Sequence, residues 1–135
     1  MTHILLVEDS STDAFLIQEA LRQVSFDHDV EVVTDGVQAI DRLRTGSRPD
    51  LMLLDLNLPR KDGREVLAEV KGDPDLKSIP VIVLTTSSAP PDVTFAYANH
   101  ANSYVRKPLG LDRLVEAAAA IRDFWARTAT LPTQA

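Results

Sequence analysis

Short apolar runs alternate with amphipathic helical stretches along the whole of this chain, and the alternation predicts an α/β fold. The apolar runs are continuous rather than every-other-residue, as expected of parallel strands covered on both faces. At 135 residues there is room for one domain. Together these predict a doubly wound, five-stranded parallel sheet with right-handed crossovers and strand order 2-1-3-4-5.

The first strand is Ile4 to Val7. A helix follows, because Ile17, Ala20, Leu21 and Val24 share one face at i, i+3, i+4 and i+7. Val30 to Val33 is the second strand. Thr34-Asp35-Gly36 is a capping turn before the stripe Val37, Ile40 and Leu43. Leu51 to Leu54 is the third strand, and Val66, Leu67 and Val70 line a third helix stopped by Gly72 and Asp73-Pro74. Val81 to Leu84 is the fourth strand. Prolines at 90 and 91 can only open a helix, which runs to about Asn99. Ser103 to Arg106 is a weaker fifth strand. Leu111, Leu114, Val115, Ala118 and Ile121 mark the last helix, reaching about Ala126. The expected domain is 1–127. Residues 128–135 are small and polar and are expected to leave it as a tail, a candidate dimer arm.

Composition narrows the function. Fourteen basic against 20 acidic residues give a net charge of −6, which disfavours nucleic acid and anionic membranes. With no cysteine there is no disulfide, thiolate metal site or cysteine nucleophile. The first ten residues lack a basic leader, and no apolar stretch approaches a membrane span, so the expectation is a soluble, cytoplasmic domain. His3, His28 and His100 share no metal-ligand spacing and read as structural or solvated.

Chemistry concentrates at the carboxyl ends of the predicted strands. Glu8 and Asp9 follow the first strand, Asp55 the third, Thr85 and Thr86 the fourth, and Lys107-Pro108 the fifth. In a parallel sheet these residues meet at one edge, where such folds bind ligands. Three crowded carboxylates repel one another unless a cation joins them, and an all-oxygen set with waters and phosphate suits Mg²⁺. Phosphoryl transfer needs positioning and charge neutralisation. Mg²⁺ and Lys107 can neutralise the phosphoryl oxygens, and Thr85 can hydrogen-bond one. Asp55, on the central strand, is best placed as nucleophile, giving an acyl phosphate.

Four segments, LLVEDS (5–10), LLDLNLPRKDG (53–63), PVIVLTTS (80–87) and SYVRKPL (103–109), resemble the receiver domain of two-component response regulators, over residues 3 to 126. The resemblance implies a flavodoxin-like (βα)5 fold and a stand-alone regulator phosphorylated on Asp55 by a histidine kinase. It implies that Asp9 binds Mg²⁺ directly, that Glu8 acts through water, and that Asn57 offers its backbone carbonyl. Thr85 becomes the switch hydroxyl, Lys107 the phosphate-pairing lysine, and Tyr104 the aromatic that turns inward when Thr85 moves. A cis Lys107–Pro108 bond is also implied. Glu8 stands where the family more often has Asp, and Thr86 where a smaller residue is usual. Such a protein catalyses only its own phosphorylation and dephosphorylation and is otherwise no enzyme.

The runs at 54–71 and 124–132 are similar to small regulators that partner cyanobacterial and bacterial phytochromes, several of them dimers through the end of the chain. That implies a phytochrome kinase and a homodimer, without DNA binding. Phe124 and Trp125 are adjacent, so one helix face cannot bury both, which leaves one ring or Leu131 for a partner. Arg60-Lys61 reads as a solvated loop. Two other functions stay open. A haloacid-dehalogenase-type phosphohydrolase also uses Asp, Mg²⁺, hydroxyl and lysine, but places a second Asp where Asn57 stands. A flavodoxin-like binding module would have to hold a flavin phosphate against the acidic turn 8–11.

Overall fold

A computed structural model describes residues 1–134. Among them, five parallel strands form one sheet: β1 (Thr2–Val7), β2 (His28–Val33), β3 (Leu51–Leu54), β4 (Val81–Thr85) and β5 (Ser103–Arg106). Their order is β2-β1-β3-β4-β5, as the sequence predicts. Five helices alternate with them: α1 (Ser11–Gln23), α2 (Gly36–Thr45), α3 (Gly63–Gly72), α4 (Pro90–Ala98) and α5 (Leu111–Ile121).

The strand period of two divides the core into halves. Leu5, Val7, Met52, Leu54, Val81 and Val83 point to the side covered by α2, α3 and α4. Ile4, Leu6, Leu51, Leu53, Ile82 and Leu84 point to the side covered by α1 and α5. β1, β3 and β4 are therefore apolar on both faces, whereas edge strand β2 alternates and β5 is only half-buried. Helix starts follow local capping chemistry: Ser10 accepts from the Asp13 amide, Asp35 from Gln38, and Asp62 from Arg64.

Two glycines carry close approaches that bear on the site. A Cβ on Gly63 would lie 2.1 Å from the Asp55 carbonyl oxygen, and one on Gly36 would lie 2.0 Å from that of Lys61. The loop after β3 is thus pressed against both α3 and α2. Arg60, at φ 66, takes the left-handed conformation within it.

The carboxyl-terminal region departs from expectation. Past α5 the chain continues as a π-helical segment, Arg122–Thr128, closed where the Ala129 amide donates to the Phe124 carbonyl at 2.6 Å. Trp125 packs on the α1/α5 core while Phe124 stays 53% exposed. Residues 129–134 do not leave the domain. Leu131 is buried, 1% exposed, and the Thr133 hydroxyl donates to Asp50 at the amino-terminal edge of the sheet. The predicted tail contains one large apolar side chain, Leu131, and its burial offsets the cost of ordering a short segment. The Lys107–Pro108 bond is trans, like every other described peptide bond, so the implied cis form is not present. The intrinsic difference between the two forms is only about 0.5–1 kcal/mol.

Candidate functional site

The sheet order reverses between β1 and β3, and the crevice beyond their carboxyl ends is where the candidate residues meet. The strand ladder runs one residue past the strands themselves. The Glu8 amide donates to Val33, the Asp55 amide to Val7, and the Lys107 amide to Thr85, at 2.7–3.1 Å. Glu8, Asp55 and Lys107 are therefore held by sheet hydrogen bonds as well as by their side chains. Glu8, Asp55, Thr85 and Lys107 are all buried.

Asp55 is the hub. Its Oδ1 accepts from the Thr85 hydroxyl at 3.0 Å and from the Asn57 backbone amide at 3.0 Å. Its Oδ2 accepts from Lys107 Nζ at 2.9 Å. Lys107 also donates to Glu8 Oε1 and, at 3.0 Å, to Asp13 Oδ2. Glu8 completes its own contacts by accepting the Ser10 amide at 3.2 Å. Asp9 is exposed, yet it offers a carboxylate oxygen to a cluster with Glu8 and Asp55, all three oxygens lying within 4.8 Å of one another. From Asn57, an exposed residue, the contact made to the site is the amide just named.

Charge in this crevice is unbalanced. Four carboxylates, from Glu8, Asp9, Asp13 and Asp55, stand against one ammonium. Burial raises the Glu8 carboxyl from 4.5 to about 7; the neighbouring Asp55 adds to this, and the Lys107 hydrogen bond opposes it. Lys107 itself is pulled down by burial, but bonds to Glu8, Asp55 and Asp13 outweigh that and raise it, so it stays an ammonium at any physiological pH. An all-oxygen donor set with surplus negative charge is what a hard divalent cation requires.

The two residues expected to form the switch sit on adjacent strands, β4 and β5. Thr85 is engaged with Asp55. Tyr104 is half-buried against the α2/α3/α4 core, and its hydroxyl donates to the Ser87 carbonyl at 2.7 Å. The loop between β4 and α4 is held from its other side as well: Ser87 Oγ donates to Asp92, and Asp92 pairs with Arg64 at 2.8 Å. Thr86 is exposed.

Sequence reading missed two of these residues. Asp13 carried one signal, its place three residues after the cap Ser10, where an acid ordinarily returns the capping bond. Arg64 carried none, because its partner Asp92 is 28 residues away. Arg60 and Lys61 are not a free basic loop: Arg60 pairs with Asp35 at 3.2 Å, and Lys61 with Glu69. His3 pairs with Asp29 at 2.8 Å and His28 stacks on Phe26, both away from the strand carboxyl ends.

Comparison with known proteins places this geometry. The family model described as the response regulator receiver domain matches residues 4–119. Response regulator Rcp1 of Synechocystis sp. is 49% identical over 135 residues, covering 96% of this chain and 92% of that protein. A crystal structure of the Mn²⁺-bound form of Rcp1 superposes with a TM-score of 0.90 at 48% identity, covering 98% of this chain and 99% of the other. A crystal structure of the phosphorylated cyanobacterial phytochrome response regulator RcpA gives 0.92 at 50% identity, over 97% of this chain and 98% of the other.

Proposed function

Since this chain belongs to the response regulator receiver family, we propose that it is a cytoplasmic phosphorylation switch. In this reading Asp55 accepts a phosphoryl group from a histidine kinase of the phytochrome type. Of the three functions the sequence left open, the family match favours this one over the phosphohydrolase and the flavin module. The observation that carries the assignment of Asp55 is its position as the one carboxylate, among the described residues, bonded at once to Thr85 and Lys107.

An Asp55 carboxylate oxygen attacks the phosphorus of a phosphohistidine. An O–P bond forms, the N–P bond breaks, and its electron pair returns to the imidazole nitrogen, which leaves neutral once protonation is balanced by solvent. Lys107 follows the charge from the carboxylate to a phosphoryl oxygen, and Thr85, already bonded to Asp55, reaches another. Glu8, Asp9 and Asp55 are the residues that would hold Mg²⁺, with Asn57 lending its backbone carbonyl. Such an ion supplies neutralisation of the transferring oxygens. Support for a divalent ion comes from the unbalanced carboxylates and from the Mn²⁺ bound by Rcp1. Tyr104, tied to the β4–α4 loop through Ser87, reports the state of Thr85 to the face formed by α4, β5 and α5.

The phytochrome assignment rests on the likeness to RcpA, a phytochrome response regulator. A homodimer through the carboxyl-terminal region rests on Phe124, a large apolar side chain left in solvent beside the packed Trp125.

Intact mass after incubation with a small phosphodonor tests the central reading. A gain of about 80 Da, one phosphoryl group, is expected with Mg²⁺, and none is expected with EDTA or in Asp55→Asn. An equal gain in Asp55→Asn would place the phosphoryl group elsewhere.

A further inference from the structure

Lys107 has three N–H donors, and each goes to a different carboxylate: Glu8, Asp55 and Asp13. Two of these belong to the acidic cluster suited to a metal. Asp13 does not. It sits in the first turn of α1, where the pattern Ser10-x-x-Asp13 would ordinarily make reciprocal capping bonds. Only half of that arrangement forms. Ser10 Oγ accepts the Asp13 amide, but the Ser10 amide is taken by Glu8. The Asp13 carboxylate is released from capping and turned across to β5, 94 residues away, onto Lys107.

A divalent cation among Glu8, Asp9 and Asp55 repels the ammonium from two of its three partners. Lys107 is 8% exposed, so it cannot retreat to water, and a buried unpaired ammonium is costly. Asp13 is the remaining acceptor. We propose that Asp13 is a positioning residue: it holds the Lys107 ammonium while a divalent cation occupies Glu8, Asp9 and Asp55, so that lysine and metal share the site. The ammonium then lies one short swing from the oxygens of a phosphoryl group on Asp55. This inference rests on the metal reading given above.

A double-mutant cycle on Mg²⁺ affinity, read by calorimetry on the unphosphorylated chain, separates this role from general electrostatics. The variants are Asp13→Asn, Lys107→Met and the pair. Asp13→Asn should weaken Mg²⁺ binding about tenfold when Lys107 is present and no more than about twofold in Lys107→Met, a coupling typical of charged groups in contact. Equal weakening in both backgrounds would mean that Asp13 acts only as a distant charge, and would overturn the inference while leaving the metal reading intact. No Mg²⁺ binding by the unmutated chain would overturn both. Thermal unfolding checks that each variant folds. If Lys107→Met does not, Thr12→Asp/Asp13→Asn decides: it keeps the charge on the exposed neighbouring position, about 100° around α1 from Asp13. Affinity that stays weak supports the role of Asp13, and affinity restored to the unmutated level overturns it.

Discussion

Glu8→Gln should stabilise the metal-free protein at neutral and alkaline pH, although it removes a hydrogen-bonded, ion-paired side chain. Glu8 is 1% exposed, and burial is the main cause of a carboxyl raised from 4.5 to about 7. Between those pH values the folded chain holds a proton that the unfolded chain has released. Stability from this group is complete below about pH 4.5 and is lost as pH rises through 7. The displacement corresponds to about 3 kcal/mol. Asp35, Asp73 and Asp92 are held below the ordinary carboxylate range by hydrogen bonds and arginines, so they titrate beneath this window. Lys107 is raised and titrates above it. Urea unfolding in EDTA at pH 5 and pH 8 measures the effect. With a slope of roughly 1–3 kcal/mol per molar urea, the midpoint of the unmutated chain should fall by about 1–2 M across this range. Glu8→Gln should remove most of that fall, because the amide keeps an acceptor for Lys107 without a charge to desolvate. Mg²⁺ should also flatten the dependence by favouring the ionised carboxylate. A flat midpoint in the unmutated chain, or the same slope in Glu8→Gln, would refute the reasoning.

Two further outcomes are open to direct measurement. Gly63→Ala places a Cβ 2.1 Å from the Asp55 carbonyl oxygen and 2.6 Å from Leu56 Cα, both backbone atoms that cannot yield without moving Asp55. It should cost about 2 kcal/mol or more in denaturant unfolding and slow phosphorylation; a loss within about 0.5 kcal/mol, the range of ordinary surface changes, would mean that the loop adapts freely. Phe124→Ser should raise the monomer fraction in sedimentation with little change in thermal stability, since the ring is 53% exposed. An unchanged mass distribution would sink the proposed dimer contact. Truncation is the poorer test, because it would also remove Leu131, which this chain buries itself.

Local pattern was enough for most of the architecture. Continuous apolar runs, helical stripes and capping residues lie within a few positions of the elements they specify, and the observed β3 and β5 are the predicted ones residue for residue. Edge strand β2 was harder: it begins at His28, two residues before the predicted start, because a half-exposed edge needs no apolar side chain there. The candidate site was legible too, because a parallel sheet obliges residues at strand carboxyl ends to converge. Glu8, Asp9, Asp55, Thr85 and Lys107 could thus be grouped without knowing a single distance.

Pairings between distant elements were not legible. Asp13 could have capped its own helix, and it meets Lys107 only because α1 and β5 flank the same crevice. Arg64 reaches Asp92 only because α3 and α4 pack side by side. Residues 129–134 read as a polar tail, yet the turn after Thr128 brings Leu131 back to the domain and Thr133 to Asp50. The raised Glu8 belongs with these. A glutamate after an apolar strand is ordinary in sequence. Its charge becomes costly only when β1, β3 and β5 enclose it with Asp55 and Lys107, because desolvation and Coulomb energy depend on distance through space rather than along the chain.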